Sequence, residues 1–459
     1  MMRSDLMVGS LIRRALLRSS WLIRRSVPLI LSLVLSAAHS APLHAQAVAS
    51  YDSAWSAISR TYFDTAFVHG RWQRTHDSLR TALGVSPSAD DVRGAIRALI
   101  TVSGASHFVL IPGEATAALS AGGGPRGAPG TVGLDLRMIG DTLVVWRVAA
   151  ASAAASAGIR PGQIVTQLDS LKVTELRAQL ASAFSTDRKR AHGMIANVAN
   201  ARVHKNTGDT VRVALVDARG RPQEILLVHT PLAGQLSRYG NLPPIIVRVT
   251  HDSVRVGRGR RATMVPVIGW SGWFPAISPE IDRSFFAARD ARGLIIDLRG
   301  NPGGVVGMIG GVAGHLTDSV VNLGTMRGRG STLRLNTNPR LVDGAGVRRG
   351  IFRGPVAILV DEQSASASEF FAAGLQAIGR ARVFGDASAG QALPAAMQRL
   401  PSGDVLMYPI ADHETPNGGR VEGVGVVPDV PAPLTRRALR DGRDPALDAA
   451  RAWLARTIQ

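Results

Sequence analysis

The chain is organised around Pro355–Phe371, which reads Pro-Val-Ala-Ile-Leu-Val-Asp-Glu-Gln-Ser-Ala-Ser-Ala-Ser-Glu-Phe-Phe. Pro355 to Val360 is a short apolar run rich in β-branched residues, the pattern of a buried strand. Asp361 to Ser366 is polar and small, which makes a turn. From Ala367 the pattern is helical, with Phe370, Phe371, Gly374, Leu375 and Ile378 on one face. Such a strand–turn–helix unit belongs to α/β folds. It sets Ser366 at a helix N-terminus, where a hydroxyl can be exposed and free N–H groups can stabilise an anion. The alternative is that Ser364 or Ser366 only caps the helix ahead of Glu369.

The rest of the chain divides around this unit. Its 459 residues are enough for two or three domains. Arg13, Arg14, Arg18, Arg24 and Arg25 precede the apolar run Val27–Ala38, with Ala45-Gln46-Ala47 as a cleavage site. That is the pattern of a signal peptide over residues 1–47, and the apolar run is too short to span a bilayer. An exported chain, periplasmic or extracellular and without a membrane span after processing, is expected; an uncleaved signal anchor is the alternative. Residues 48–125 read as a helical N-terminal region: Trp55, Ile58, Tyr62 and Phe63 recur at helical spacing. Val92, Ile96, Leu99 and Ile100 do the same after the helix-start signal Ser86-Pro87-Ser88. The pattern ends at Ser106-His107, between a glycine turn and a short apolar strand.

A Gly/Pro-rich linker at 121–130 leads into a module over 126–232, with strands expected at 132–138, 142–148 and 210–216. Residues 175–209 read as a polar insertion within it. Residues 233–438 carry the α/β pattern, with strands at 265–270 and 293–298, a helix over 279–289 and a hairpin around Pro401-Ser402-Gly403. Residues 326–350, rich in Arg and Gly, read as a flexible loop, and 439–459 ends in a helix.

Composition narrows the chemistry. The absence of cysteine excludes disulfides, thiol catalysis and Cys-based zinc sites. The net charge of +19 is nearly all arginine, scattered rather than clustered with aromatics, so no nucleic-acid partner is expected. Lysine occurs only at Lys172, Lys189 and Lys205.

Three blocks, Gly293–Gly304, Asp361–Phe371 and Gly418–Asp429, occur in an order and spacing that resembles the S41 serine peptidases, the carboxyl-terminal (tail-specific) processing proteases and the tricorn core protease. Ala149 to Val165, with its small-residue helix and Pro161-Gly162 turn, resembles a PDZ domain, for which Thr131-Val132-Gly133-Leu134 is the carboxylate-binding loop. The resemblance implies an α/β, spiral crotonase/ClpP-like core with an inserted PDZ domain and a helical N-terminal region. It also implies a serine-type peptidase that needs no cofactor or metal and acts on polypeptides with free C-termini.

Site residues follow from the same resemblance. The nucleophile is the middle serine of the Ser-Ala-Ser-Ala-Ser-Glu motif, Ser366. Processing proteases place a lysine base where this chain has Gln391, and no lysine follows Lys205, so the usual Ser-Lys dyad is impossible. The tricorn-like solution fits instead: His107 as general base and then acid, with Ser106 and Glu422 as polar supports. His413 is a rival base. The oxyanion donors expected are the N–H groups of Ala367 and one of Gly303 or Gly304, and Val132, Gly133 and Leu134 line the peptide-binding loop. An unperturbed histidine titrates near pH ~6.5, so activity is expected to rise through about pH 6 to 7. Two other readings compete: a catalytically inactive S41-like peptide-binding protein, and a crotonase-like acyl-transfer enzyme, which leaves the PDZ-like module unexplained.

Overall fold

The computed structural model describes residues 46–114, 127–184, 187–242 and 244–458; the expected signal sequence, apart from its last two residues, and most of the Gly/Pro linker lie outside the described residues. The N-terminal region packs helix α1 (46–61) against α2 (Ala89–Thr101). A full capping box starts α2: Ser88 Oγ accepts the Asp91 N–H at 3.1 Å, and the Asp91 carboxylate accepts the Ser88 N–H at 3.0 Å. Strand β1 (Val109–Ile111) follows, and pairs with residues 405–407 far along the chain. The core of this region, with Ile58, Trp72, Ile96 and Leu99, therefore also contains Leu400, Leu406 and Tyr408. Arg93 on α2 seals the join through two bonds to the Asp404 carboxylate at 3.0 and 2.9 Å.

Residues 127–232 build a second core. Strands β2 (Leu134–Ile139), β3 (Thr142–Val148) and β4 (Ile164–Leu168) are followed by helices α3 (Val173–Ala183) and α4 (Arg188–Val203), then β5 (Thr210–Val216) and β6 (Pro222–Val228). The main path of the sheet runs β2-β3-β4-β5-β6, all antiparallel. The segment expected to be a polar insertion is in fact α3 and α4, and α4 buries Ala191, Ile195, Ala196, Ala199 and Val203. Its apolar face is made largely of alanine and is interleaved with Arg188, Lys189, Arg190, His192, Asn197 and Asn200, which is why periodicity alone read it as polar. Helix α4 lies along the open edge of β2, where Asn200 bonds both main-chain groups of Leu136: the Leu136 N–H donates to Oδ1 at 2.9 Å and Nδ2 donates to the Leu136 carbonyl at 3.0 Å.

The third unit is the α/β core. Its elements are β7 (Val249–Val256), β8 (Thr263–Trp270), α5 (Ser278–Ala288), β9 (Leu294–Asp297), β10 (Asn322–Gly328), β11 (Ser331–Asn336), β12 (Val356–Val360), α6 (Ala367–Ala377), β13 (Ala381–Gly385), β14 (Ala395–Arg399), β15 (Val405–Pro409), β16 (Ala411–Glu414), β17 (Val430–Pro431) and α7 (Pro445–Thr457). One sheet runs β7-β8-β9-β12-β13-β17, antiparallel at its first pair and parallel after it. Alternate residues serve two cores. Ile296 and Ile358 face Phe285, Phe370 and Phe371, while Ile295 and Leu359 face Ala450 and Leu454 of α7. Burial on both faces is what makes β12 a continuous apolar run.

The loop expected at 326–350 is corrected in its first half. Asn322–Gly328 and Ser331–Asn336 form a hairpin, and β10 also pairs with β16. Its second strand is mostly exposed, so the apolar alternation that marks a strand is nearly absent.

Adjacent parallel strands β9 and β12 both end at the same edge of the sheet, in the turns 298–304 and 361–366. Ligands of open α/β sheets sit outside that carboxyl edge. The second unit touches the same edge: Arg137 pairs with Asp361 at 3.3 Å and Arg147 with Asp297 at 2.9 Å, their guanidiniums 4.2 and 3.8 Å from the Trp146 ring centre.

Candidate active site

Ser366 sits between β12 and α6 with φ +55° and ψ −118°. Four non-glycine residues among those described have positive φ, and Ser366 and His107 (φ +62°) are two of them. Such conformations cost roughly 1–3 kcal/mol each and persist only where the surroundings impose them. The flanking serines are structural: buried Ser364 donates to the Leu298 carbonyl at 2.8 Å, and buried Ser368 donates to the Asn301 carbonyl at 3.1 Å and accepts from Trp273 Nε1 at 2.9 Å. Ser366, by contrast, is partly exposed.

His107, Ser106 and Glu422 form a continuous relay. Ser106 Oγ donates to Glu422 Oε2 at 2.9 Å and meets His107 Nδ1 at 2.8 Å. A hydroxyl has one proton and a carboxylate can only accept, so Ser106 must accept from Nδ1–H. The neutral ring then carries its lone pair on Nε2, the atom a general base needs. The Ser106 N–H donates to Glu422 Oε1 at 3.0 Å and the Ala392 N–H to Oε2 at 2.7 Å, which fixes the carboxylate.

Ser366 belongs to the same place. Its N–H donates to the Gln391 carbonyl at 2.9 Å, one residue before the Ala392 N–H that holds Glu422. No hydrogen bond joins His107 to Ser366 among the described residues, so the relay is assembled up to its last link. Gln391 stands at the lysine position and contributes main-chain groups: its carbonyl to Ser366 and its N–H to Glu369 at 3.0 Å.

The expectation that His107 titrates near the ordinary range is corrected. Burial, with the Arg190 guanidinium as a smaller contribution, pulls it down to about 4. Arg190 is held close by its bond to the Gly104 carbonyl at 3.0 Å. His413 lies elsewhere: buried on β16, it stacks on Phe370 with ring centres 4.0 Å apart, and neither ring nitrogen has a partner.

Of the expected oxyanion donors, the Gly303 N–H is occupied by Asn301 Oδ1 at 3.0 Å. The N–H groups of Ala367 and Gly304 donate to no described protein acceptor. Gly304 lies in a parallel bridge with Trp273 made by its neighbours' groups, so its own N–H faces away from Trp273. Gly303 packs on Ser366: a Cβ there would lie 2.6 Å from Ser366 Cβ.

In the 131–134 loop, the Val132 N–H goes to the Val203 carbonyl at 3.2 Å and the Gly133 N–H to Thr131 Oγ1 at 3.0 Å. Leu134 begins β2. Among the described residues no group of three or more His, Asp or Glu side chains converges as metal ligands do. No helix there is long and apolar enough to cross a membrane.

Sequence reasoning missed one residue of this site. Glu369 was legible as an N-cap partner, but its carboxylate also takes three groups from residues 388–391.

The family model described as peptidase family S41 matches residues 278–432. A relative named carboxyl-terminal-processing peptidase 3, chloroplastic, from Arabidopsis thaliana is 25% identical over 384 residues, 82% of this chain and 67% of that protein. A carboxy-terminal-processing protease from Bartonella bacilliformis is 26% identical over 240 residues, 49% of this chain; the match spans 50% of that relative's length. The fold is similar to that of the photosystem II D1 C-terminal processing protease, with TM-score 0.58 and 19% identity over 89% of this chain and 97% of that one. It is also similar to that of mature CPAF, with TM-score 0.60 and 14% identity over 91% and 98%.

Proposed function

Because the chain belongs to peptidase family S41 through residues 278–432, we propose that it is a serine-type, carboxyl-terminal-processing peptidase that works through a Ser-His acyl-enzyme rather than a Ser-Lys dyad. The observation that carries this is the Glu422–Ser106–His107 relay, which leaves the lone pair on His107 Nε2. When a peptide closes the last link, Nε2 takes the Ser366 proton as Oγ attacks the scissile carbonyl. The imidazolium formed is stabilised through Ser106 by Glu422. The N–H groups of Ala367 and Gly304 meet the oxyanion. Collapse passes the proton from Nε2 to the departing amine. Water then hydrolyses the acyl-enzyme with His107 as base again. An inactive peptide-binding chain would have no use for a relay whose tautomer is fixed in this way.

Peptide-library digestion read by mass spectrometry tests it. The wild type should yield defined products and Ser366→Ala none; products from the variant above background would remove Ser366 from the mechanism.

The unit at 127–232 is read as a PDZ domain that selects free, apolar C-termini, and residues 1–47 as an export signal; the names of the processing relatives and the 131–134 loop support the first. Amidation removes the terminal charge. An amidated peptide should therefore show a KM raised several-fold at nearly unchanged kcat, and equal KM values for the two forms would mean that the terminus is not read.

A further inference from the structure

Helix α6 begins with a buried carboxylate that a cap alone does not require. Glu369 has no exposed surface and no ion-pair partner among the described residues. It accepts four bonds: Ser366 N–H at 3.0 Å and Gln391 N–H at 3.0 Å on Oε2, Gly390 N–H at 2.7 Å and Ser388 Oγ at 2.5 Å on Oε1. In an ordinary capping box the cap hydroxyl would bond the Glu369 N–H. Here that N–H also goes to the Ser366 carbonyl at 2.8 Å. The carboxylate half of the box grips the Ser366 main chain.

We propose that Glu369 is a positioning residue of the peptidase reaction, whose carboxylate ties the main chain of Ser366 to the 388–391 loop and so holds the nucleophile at positive φ with Oγ presented. The proposal rests on the reading of Ser366 as nucleophile. The grip extends to the relay: Ser388 Oγ accepts the Val426 N–H at 2.6 Å, and the Gly423 N–H, beside Glu422, donates to the Gly390 carbonyl at 2.9 Å. One buried group thus sets the nucleophile turn in register with the loop that carries Glu422.

Since all four partners donate, the ionised carboxylate is the form that fits; a protonated one would turn an O–H against a donor. Burial works against ionisation and pushes Glu369 up to about 7, with the four donors opposing. The charged group whose field reaches it is Lys189 of α4; His413 lies against Phe370 on the same helix. Below about pH 7 Glu369 gains its proton and the grip on Ser366 loosens, so kcat falls there, well above the range in which His107 titrates.

The test uses the full chain and a fluorogenic peptide that the wild type cleaves, with kcat and KM across pH 4 to 9, the rate of labelling by a fluorophosphonate, and circular dichroism. Ser366→Ala should lose turnover and labelling; if it keeps both, the nucleophile assignment fails, which is a separate result. Glu369→Gln should lower kcat and the labelling rate together by roughly a hundred-fold, with KM within two-fold, native dichroism and no kcat limb near pH 7. Ser388→Ala keeps the carboxylate but removes one donor, so its limb should move to higher pH. If Glu369→Gln does not fold, that displacement carries the test. Wild-type kcat in Glu369→Gln, a limb that persists in it, or an unmoved limb in Ser388→Ala would each overturn the proposal.

Discussion

Replacing His107 by alanine should lower kcat by on the order of 10³–10⁴ while leaving the fold intact. In the proposed mechanism the ring is the terminus of the relay and the group that takes the Ser366 proton. His413→Ala should instead keep kcat within a few-fold, because its ring nitrogens have no partners and its contact is a stack on Phe370. It should still cost stability, since it opens a cavity beside a core aromatic; about 1–3 kcal/mol is the scale for such a truncation. Glu422→Gln should fall between the two. It keeps an acceptor for the Ser106 hydroxyl but loses the charge that supports the imidazolium. The measurement is steady-state kinetics beside circular dichroism for all three. Turnover abolished in His413→Ala and retained in His107→Ala would exchange the base.

Gly303→Ala is the second large effect expected. At φ +96° any side chain is strained, and the new Cβ would lie 2.6 Å from Ser366 Cβ, 2.8 Å from the Ala365 carbonyl and 2.9 Å from the Ala367 nitrogen. Ser366 and the Ala367 N–H, the proposed nucleophile and oxyanion donor, must both shift. Loss of one such donor lowers kcat about 10²–10³-fold, so a loss of at least that size is expected, with KM little changed. Gly307→Ala is the matched control, since its Cβ would meet nothing within 4 Å. A Gly303→Ala enzyme within ten-fold of wild-type kcat would show that the turn is not the oxyanion site.

The parts of this fold that could be read in advance are those whose physics is local. The Pro355–Val360 run, the glycine turn after Asp297 and the small-residue turn before Ala367 each declare themselves within a dozen residues. Helix α4 did not, because alanines interleaved with charges bury a face without looking apolar. The hairpin at 322–336 did not, because its outer strand is exposed on both sides. In the site, residue identities were legible through resemblance, but their order of bonding was not. Ser106 and Glu422 stand 316 residues apart, and only the fold puts one hydroxyl between a carboxylate and an imidazole. The depressed titration of His107 comes from burial and from Arg190 of another unit. Neither could be read from the residues beside it.

The amide of Asn200 on the edge of β2 makes that strand its own competitor. An unpaired edge invites any extended chain to add to it, which is hazardous for a protein proposed to act on polypeptides. With both main-chain groups of Leu136 already satisfied, an incoming strand must first displace two bonds. At roughly 0.5–1.5 kcal/mol net for each, that subtracts about 1–3 kcal/mol from its affinity, a discount of roughly five- to 150-fold. Backbone pairing alone then gains an arriving chain almost nothing there, and discrimination passes to whatever else the chain brings: its side chains and its terminus.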